Sequence, residues 1–145
     1  MNYHVDIVID QPRHKVLEYF QDVSFIPEWQ DGFVSMTTVH GEAGQVHSRN
    51  ELVYIIRGKK TVMIETILDK DLPDHMHFLY EAKGVQNWAN NYFIEKGDKT
   101  IWKAGHIFKF TGLMVIMAPL MKKMFMKETL RTMNMFKLAV EKNIG

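Results

Sequence analysis

The spacing of apolar residues changes along this chain, and each change predicts an element. Tyr3, Val5, Ile7 and Ile9 alternate with His4, Asp6, Val8 and Asp10, the period-two pattern of a half-buried strand that ends at Asp10. Pro12 suits a first helical position, and Val16, Leu17, Tyr19 and Phe20 then share a helical face up to Asp22-Val23-Ser24. A second short helical piece follows over Phe25 to Trp29. From Gly32 to Phe110 the chain reads as strands separated by turn signals: Gly41 to Gly44, Arg57-Gly58-Lys59, Asp71 to Asp74, Lys83-Gly84 and Lys96-Gly97-Asp98. The six strands so defined cover 33–40, 45–56, 60–69, 75–82, 85–95 and 99–110. Their short connections favour hairpins, hence an antiparallel meander. A long Met-rich helix closes the chain, and Pro119 is expected to kink or restart it.

Charges set the expected facing of the strands. Lys103 and Lys109 mark the outer face of 99–110, which leaves Trp102, Ala104, His106, Phe108 and Phe110 inside. Taking Glu95 as an outer marker aligns Asn87, Asn91 and Phe93 with it, so Trp88, Asn90, Tyr92 and Ile94 are expected inside, unless a bulge inverts the assignment. Phe78 and Tyr80 oppose His77 and Glu81, and Asn50, Leu52, Tyr54 and Ile56 oppose Arg49 and Glu51. The architecture expected is α+β: a curved, antiparallel seven-stranded sheet wrapped around the C-terminal helix, with two short helices after the first strand. Such a sheet and helix enclose a pocket. Residues 1–145 are read as one domain.

Composition narrows the function classes. The 145 residues are 46% hydrophobic and 24% charged, with a net charge of +1 and no Cys, so there is no thiolate nucleophile, no disulfide and no Cys-ligated metal. The start MNYHVDIVID lacks the basic-then-apolar form of a signal peptide, and the apolar run Leu113 to Met121 falls short of the roughly 20 residues of a spanning helix. A cytoplasmic location is expected. Glycines fall singly or in turns and form no phosphate loop, and basic residues are not interleaved with aromatics, so neither a nucleotide cofactor nor a nucleic-acid partner is expected. Residues 113–145 carry six Lys and Arg against Glu128 and Glu141, whereas 1–112 are slightly acidic. The basic helix suits a solvated outer face, or transient contact with an anionic membrane surface. The apolar segment 113–120 leaves the oligomeric state open, a dimer included.

These elements resemble the SRPBCC superfamily, the START-like or helix-grip fold of polyketide cyclase/dehydrase and lipid-transport domains. The resemblance runs over essentially the whole chain. It rests on Ile9, Pro12 and Val16, on Val23 and Trp29, on the Gly44 hairpin and Glu65, on Gly84-Val85 with Asn87 and Asn91, on Thr100 with Trp102, and on the closing pattern from Met133 to Glu141. It implies a hydrophobic tunnel between sheet and C-terminal helix, and members range from carriers to catalysts. A fold of this kind does not supply the chemistry.

Candidate residues follow from the facing. Trp88, Trp102, Phe108, Met117, Met121 and Met124 are expected as apolar walls, adaptable where Met lines them. Tyr54, Tyr80 and Tyr92 can present phenols to a ligand, and Asn90 and His106 are the polar anchors. His106 is the candidate acid/base, although no inward carboxylate is evident beside it. Alternation leaves Glu65 tolerable on either face; the surface is expected, while an inward Glu65 would pair with His106. His75-x-His77 is the one close histidine pair, but no third ligand is visible, so no metal is expected. The first reading is a binder or carrier of a small hydrophobic ligand of lipid, isoprenoid or polyketide-like type. The alternatives are a cyclase or dehydratase working through His106, and a protein-interaction module.

Overall fold

The computed structural model describes residues 1–143. Strand β1 (Asn2–Ile9) buries Tyr3, Val5, Ile7 and Ile9 and exposes the residues between them, as its alternation requires. Helix α1 (Arg13–Phe20) begins directly after Pro12, whose φ of −66° is already set by its ring, and turns Val16 and Leu17 to the core. A 3-10 segment (Val23–Glu28) follows, opened by Asp22, whose carboxylate accepts a hydrogen bond from the Ser24 amide at 3.0 Å.

The remaining strands are β2 (Phe33–His40), β3 (Arg49–Ile56), β4 (Lys59–Asp71), β5 (His75–Ala82), β6 (Val85–Lys96) and β7 (Lys99–Phe110). They form one seven-stranded antiparallel sheet in the order β1-β7-β6-β5-β4-β3-β2. Strands β1 and β2 are therefore the two edges, and α1 with the 3-10 segment carries the chain from one edge to the other. The strand expected over 45–56 starts only at Arg49, because Gln45 to Ser48 close a turn in which the Ser48 amide donates to the Gln45 carbonyl. Gly32 enters β2 at φ +77°, and a Cβ there would stand 2.2 Å from the Ile55 carbonyl oxygen, so both conformation and space require glycine.

Helix α2 (Met114–Asn143) runs without a break through Pro119, so the expected restart does not occur. Pro119 lies in the second turn, where the missing N–H removes a single helical hydrogen bond. The helix extends from the β5–β6 turn, where Met114 lies against Gly84, to the end of β1, where Glu141 accepts from the Asp10 amide at 2.8 Å. It packs chiefly on β1. Its C-terminal half supplies Met133, Phe136, Ala139 and Val140 to the core. Phe136 sits edge-on against Trp29, Trp102 and Phe25 and ties helix, sheet and 3-10 segment together. No helix among the described residues is long and apolar enough to cross a membrane.

Candidate functional site

Between the inner face of the sheet, the α1 and 3-10 segments, and α2 lie two adjoining cavities of about 220 and 210 Å³. Phe20, Trp29, Gln30 and Tyr80 line both. The first cavity is walled by Met36, Ile67, Met76 and Phe78, with Thr38, Asn50 and Glu65 as its polar side. Lys70 stands at its rim and donates to the Gly44 carbonyl at 2.9 Å. The second is walled by Ala89, Trp102, Ala104 and Met133, with Asn91, His106, Thr129, Thr132 and the Arg131-paired Glu128 among its polar groups.

The first cavity holds a connected polar network. Thr38 Oγ1 donates to Asn50 Oδ1 at 2.8 Å, and Asn50 Nδ2 donates to Glu65 Oε1 at 3.2 Å. Glu65 is 8% exposed and Asn50 2%. The Tyr80 hydroxyl bonds the same carboxyl. Burial pushes the Glu65 carboxyl above its ordinary range, and the hydrogen bonds from Asn50 and Tyr80 only partly oppose this. No cation pairs with it among the described residues. Burial first, and then the negative charge of Glu65, raises Tyr80 well above the usual phenol value, so its hydroxyl is a fixed donor. Trp29 adds a buried indole N–H that has no partner among the described residues.

In the second cavity His106 is neutral at physiological pH, because burial lowers it to about 4. Its ring stacks on Tyr3 at 5.3 Å, and its Nδ1 lies 3.2 Å from the Asn87 amide nitrogen. No carboxylate touches it among the described residues. A base this weak and this isolated is a poor proton shuttle near pH 7, so the sequence-derived acid/base role lacks the partner it needs.

The structure corrects several placements. Trp88, Asn90 and Tyr92 lie on the outer face of β6, and the inner face carries Asn87, Ala89, Asn91 and Phe93. The error came from Glu95. It shares the inner face with Phe93, but at the strand end this face runs past the core into solvent, where Glu95 approaches Arg13 at 3.8 Å. A terminal charge was thus a false marker of the outer face. Glu65, expected at the surface, points inward, and it joins Asn50 and Tyr80 instead of His106. Met117 and Met124 are exposed and Met121 half-buried, and none lines either cavity, because the N-terminal half of α2 extends past the cavity walls. Met124 instead borders a third cavity, of about 590 Å³, between α2 and the ends of β2 and β3, with Ile55, Ile56 and Phe125. His75 and His77 do have a third potential ligand close by, Asp69.

Other expected positions fall where the facing put them. Tyr80, Trp102 and His106 line the cavities. Tyr54 is on the inner face and donates to Gln30 Oε1, itself a cavity residue. Phe108 packs against the core, stacked on Tyr3 and Phe125. Of the lining residues, Phe20 and Met133 come from helices and Trp29 and Gln30 from the turn after the 3-10 segment, where strand alternation carries no information.

No family model matches the chain, and no curated protein does. Solved structures do match over the full length. TTHA0849 from Thermus thermophilus is 16% identical, with 100% of both chains covered and a TM-score of 0.80. A START superfamily protein from Mycobacterium smegmatis is 12% identical, with 97% of each chain covered and a TM-score of 0.81. The Zhui aromatase/cyclase from Streptomyces sp. R1128 is 10% identical, covering 100% of this chain and 96% of its own, with a TM-score of 0.80. The chain has the START-like helix-grip fold. At these identities the likeness establishes the fold alone.

Proposed function

We propose that this protein binds a small, largely apolar molecule bearing an uncharged hydrogen-bonding group, of lipid, isoprenoid or polyketide-like type, in the adjoining cavities. The observation that carries the reading is Glu65: a buried carboxyl with no ion-pair partner among the described residues, set with Thr38 and Asn50 on the polar side of a cavity walled by Met36, Ile67, Met76 and Phe78. Burying a polar group without full compensation costs stability, and folds retain such groups where a ligand uses them. Glu65, its carboxyl raised by burial, hydrogen-bonds the ligand's polar group while the aromatic walls cover the apolar body. Native mass spectrometry of freshly purified protein, with extraction of whatever is released on denaturation, tests this. A discrete small molecule that is lost in Glu65→Leu and kept in Glu65→Gln supports the reading. Retention in both variants removes Glu65 from it.

A second reading has one specific observation in its favour, the same buried carboxyl, raised by burial, beside the Tyr80 hydroxyl. Glu65, in place of His106, would act as the acid of a cyclase or dehydratase, giving its proton to a departing hydroxyl that leaves as water, while the carboxylate so formed takes the proton of the adjacent carbon as the C=C bond forms. Turnover of a poly-ketone chain that is abolished in Glu65→Gln, with binding intact, separates this from carriage.

We further propose that ligand exchange takes place at an anionic bilayer. Leu113, Ile116 and Leu120 are 81%, 76% and 87% exposed at the start of α2, and Lys122, Lys123 and Lys127 stand just beyond them without ion pairs among the described residues. Apolar residues beside a lysine cluster match an anionic lipid surface. Co-flotation with phosphatidylserine-containing vesicles, absent with pure phosphatidylcholine and lost in Ile116→Asp/Leu120→Asp, is the expected result. A dimer that buries this segment in solution would overturn it.

A further inference from the structure

On the side of the sheet away from the cavities, the β4–β5 hairpin brings together Asp69, His75 and His77. The register explains the grouping. A bulge between Ile67 and Asp69 resets the β4 pairing so that Asp69 stands directly across from His77, while His75 and His77, two residues apart, share that face. The two imidazoles stack at 4.6 Å between centroids with planes 16° apart, and His75 Nε2 lies 2.8 Å from Asp69 Oδ2. One donor atom from each residue falls within 4.8 Å of the other two. Tyr92 on β6 walls one side, its ring 5.0 Å from His77 and 5.9 Å from His75. Asp71, paired across from His75, places a second carboxylate on the same stretch of β4.

We propose that Asp69, His75 and His77 form a binding site for a borderline divalent transition-metal ion of the Zn²⁺ type, bridging β4 to β5 on the outer face. Two imidazoles and one carboxylate are the donor set such ions prefer, whereas Mg²⁺ and Ca²⁺ require oxygen donors. Bonds of roughly 2.0–2.2 Å bring neighbouring ligand atoms to within about 3.5 Å, so the three donors close on the ion by side-chain rotation with the strands in place. The side chain of Asp69 is 58% exposed and free to make that rotation. Three protein ligands leave the remaining coordination positions to water.

The site has a structural consequence. The opposite faces of the same two strands carry Ile67, Met76 and Phe78, which line the first cavity. An ion that joins β4 to β5 therefore stiffens one cavity wall. The three ligands come from strands already paired by backbone hydrogen bonds, so the ion adds a side-chain link across a hairpin that the fold has formed without it.

Calorimetric titration of tag-free protein with ZnCl₂ tests the proposal. The expected result is one ion per chain, an affinity at least tenfold weaker in each of His75→Ala, His77→Ala and Asp69→Asn, and no response to MgCl₂. A thermal midpoint raised by several degrees with ZnCl₂ in the parent, and unmoved in His77→Ala, is the companion readout. None of the three belongs to the core clusters, and comparing each variant with and without ZnCl₂ separates ion binding from the loss of the His75, His77 and Tyr92 ring contacts. Substituting Co²⁺ is expected to give a visible absorption band that disappears in Asp69→Asn. The absence of binding overturns the assignment, as does Zn²⁺ uptake that survives both His77→Ala and Asp69→Asn through other surface histidines.

Discussion

His106 gives a quantitative test of how closed the second cavity is. Its imidazole is lowered from 6.5 to about 4 by burial, so the folded protein holds it neutral where the unfolded chain would protonate it. For a group whose folded value is depressed, the folded state binds fewer protons between the two values. The stability is therefore fully present above about pH 6.5 and is lost as pH falls toward 4. The difference of about 2.5 units corresponds to about 3 kcal/mol. In a domain of this size that is a midpoint shift of roughly 6–12 °C. The variant is His106→Phe, which keeps the ring stacked between Tyr3 and Phe108 and removes the titration. Urea unfolding of both proteins at pH 7, 5.5 and 4 should show the variant losing about 3 kcal/mol less than the parent over that range. An identical acid dependence in the two proteins would mean that His106 titrates as an exposed histidine, and would refute the closed cavity around it.

Four other predictions rest on the same packing. Glu65→Gln should stay within about 1 kcal/mol of the parent near pH 5, because its amide oxygen still accepts from Asn50, whereas Glu65→Leu orphans Asn50 Nδ2 and the Tyr80 hydroxyl and should cost roughly 1–3 kcal/mol. Since the folded carboxyl is raised, the parent should lose stability as pH climbs above about 4.5; chemical denaturation from pH 5 to 9 should show that slope in the parent and not in Glu65→Gln, and equal slopes would reject a buried carboxyl. Phe136→Ala empties a fully buried position between Trp29, Trp102 and Phe25 and should cost about 3–5 kcal/mol in thermal unfolding; a loss below about 1 kcal/mol would mean that α2 is not anchored there. Gly32→Ala should lower the urea midpoint, with about 1–2 kcal/mol from the left-handed backbone alone and more from the Ile55 carbonyl; an unchanged midpoint rejects the close approach.

The fold was readable because most of its information is local. Alternation in β1, β3, β5 and β7 gave the correct inner faces, and Gly and Asp turn signals placed the hairpins to within a few residues. The faults share one cause, which is that polarity marks burial only where a strand crosses the core. Glu95 lies at the solvated end of the inner face of β6, and Glu65 lies at its buried centre on β4. A reading that sends every carboxylate outward inverts the first strand and misplaces the second residue. The methionines of α2 show the complementary limit. Helical spacing identifies a stripe, but only the position of the helix along the sheet decides that Met133 enters the core while Met117 and Met124 stay in solvent. Asp69 joined the histidine pair only through a bulge, which changes register without a distinctive sequence.

The two interior polar groups bear on what the cavities accept. Burial raises the Glu65 carboxyl and lowers the His106 imidazole, so both groups are driven toward their neutral forms. Burial favours the neutral form of any ionisable group, yet the two leave different hydrogen-bonding capacity: a protonated carboxyl donates, and a neutral imidazole both donates and accepts. The adjoining cavities thus offer polar contacts at separate points, and their charged lining residues, Lys70 and the Arg131-paired Glu128, are already engaged. Lys70, at the rim of the first cavity, already donates to the Gly44 carbonyl. An anionic headgroup brought fully inside would lose its hydration without an interior cation to replace it, at a cost of several kcal/mol. An uncharged carbonyl or hydroxyl compound meets no such penalty. On these grounds the interior favours an uncharged polar group over an anionic one.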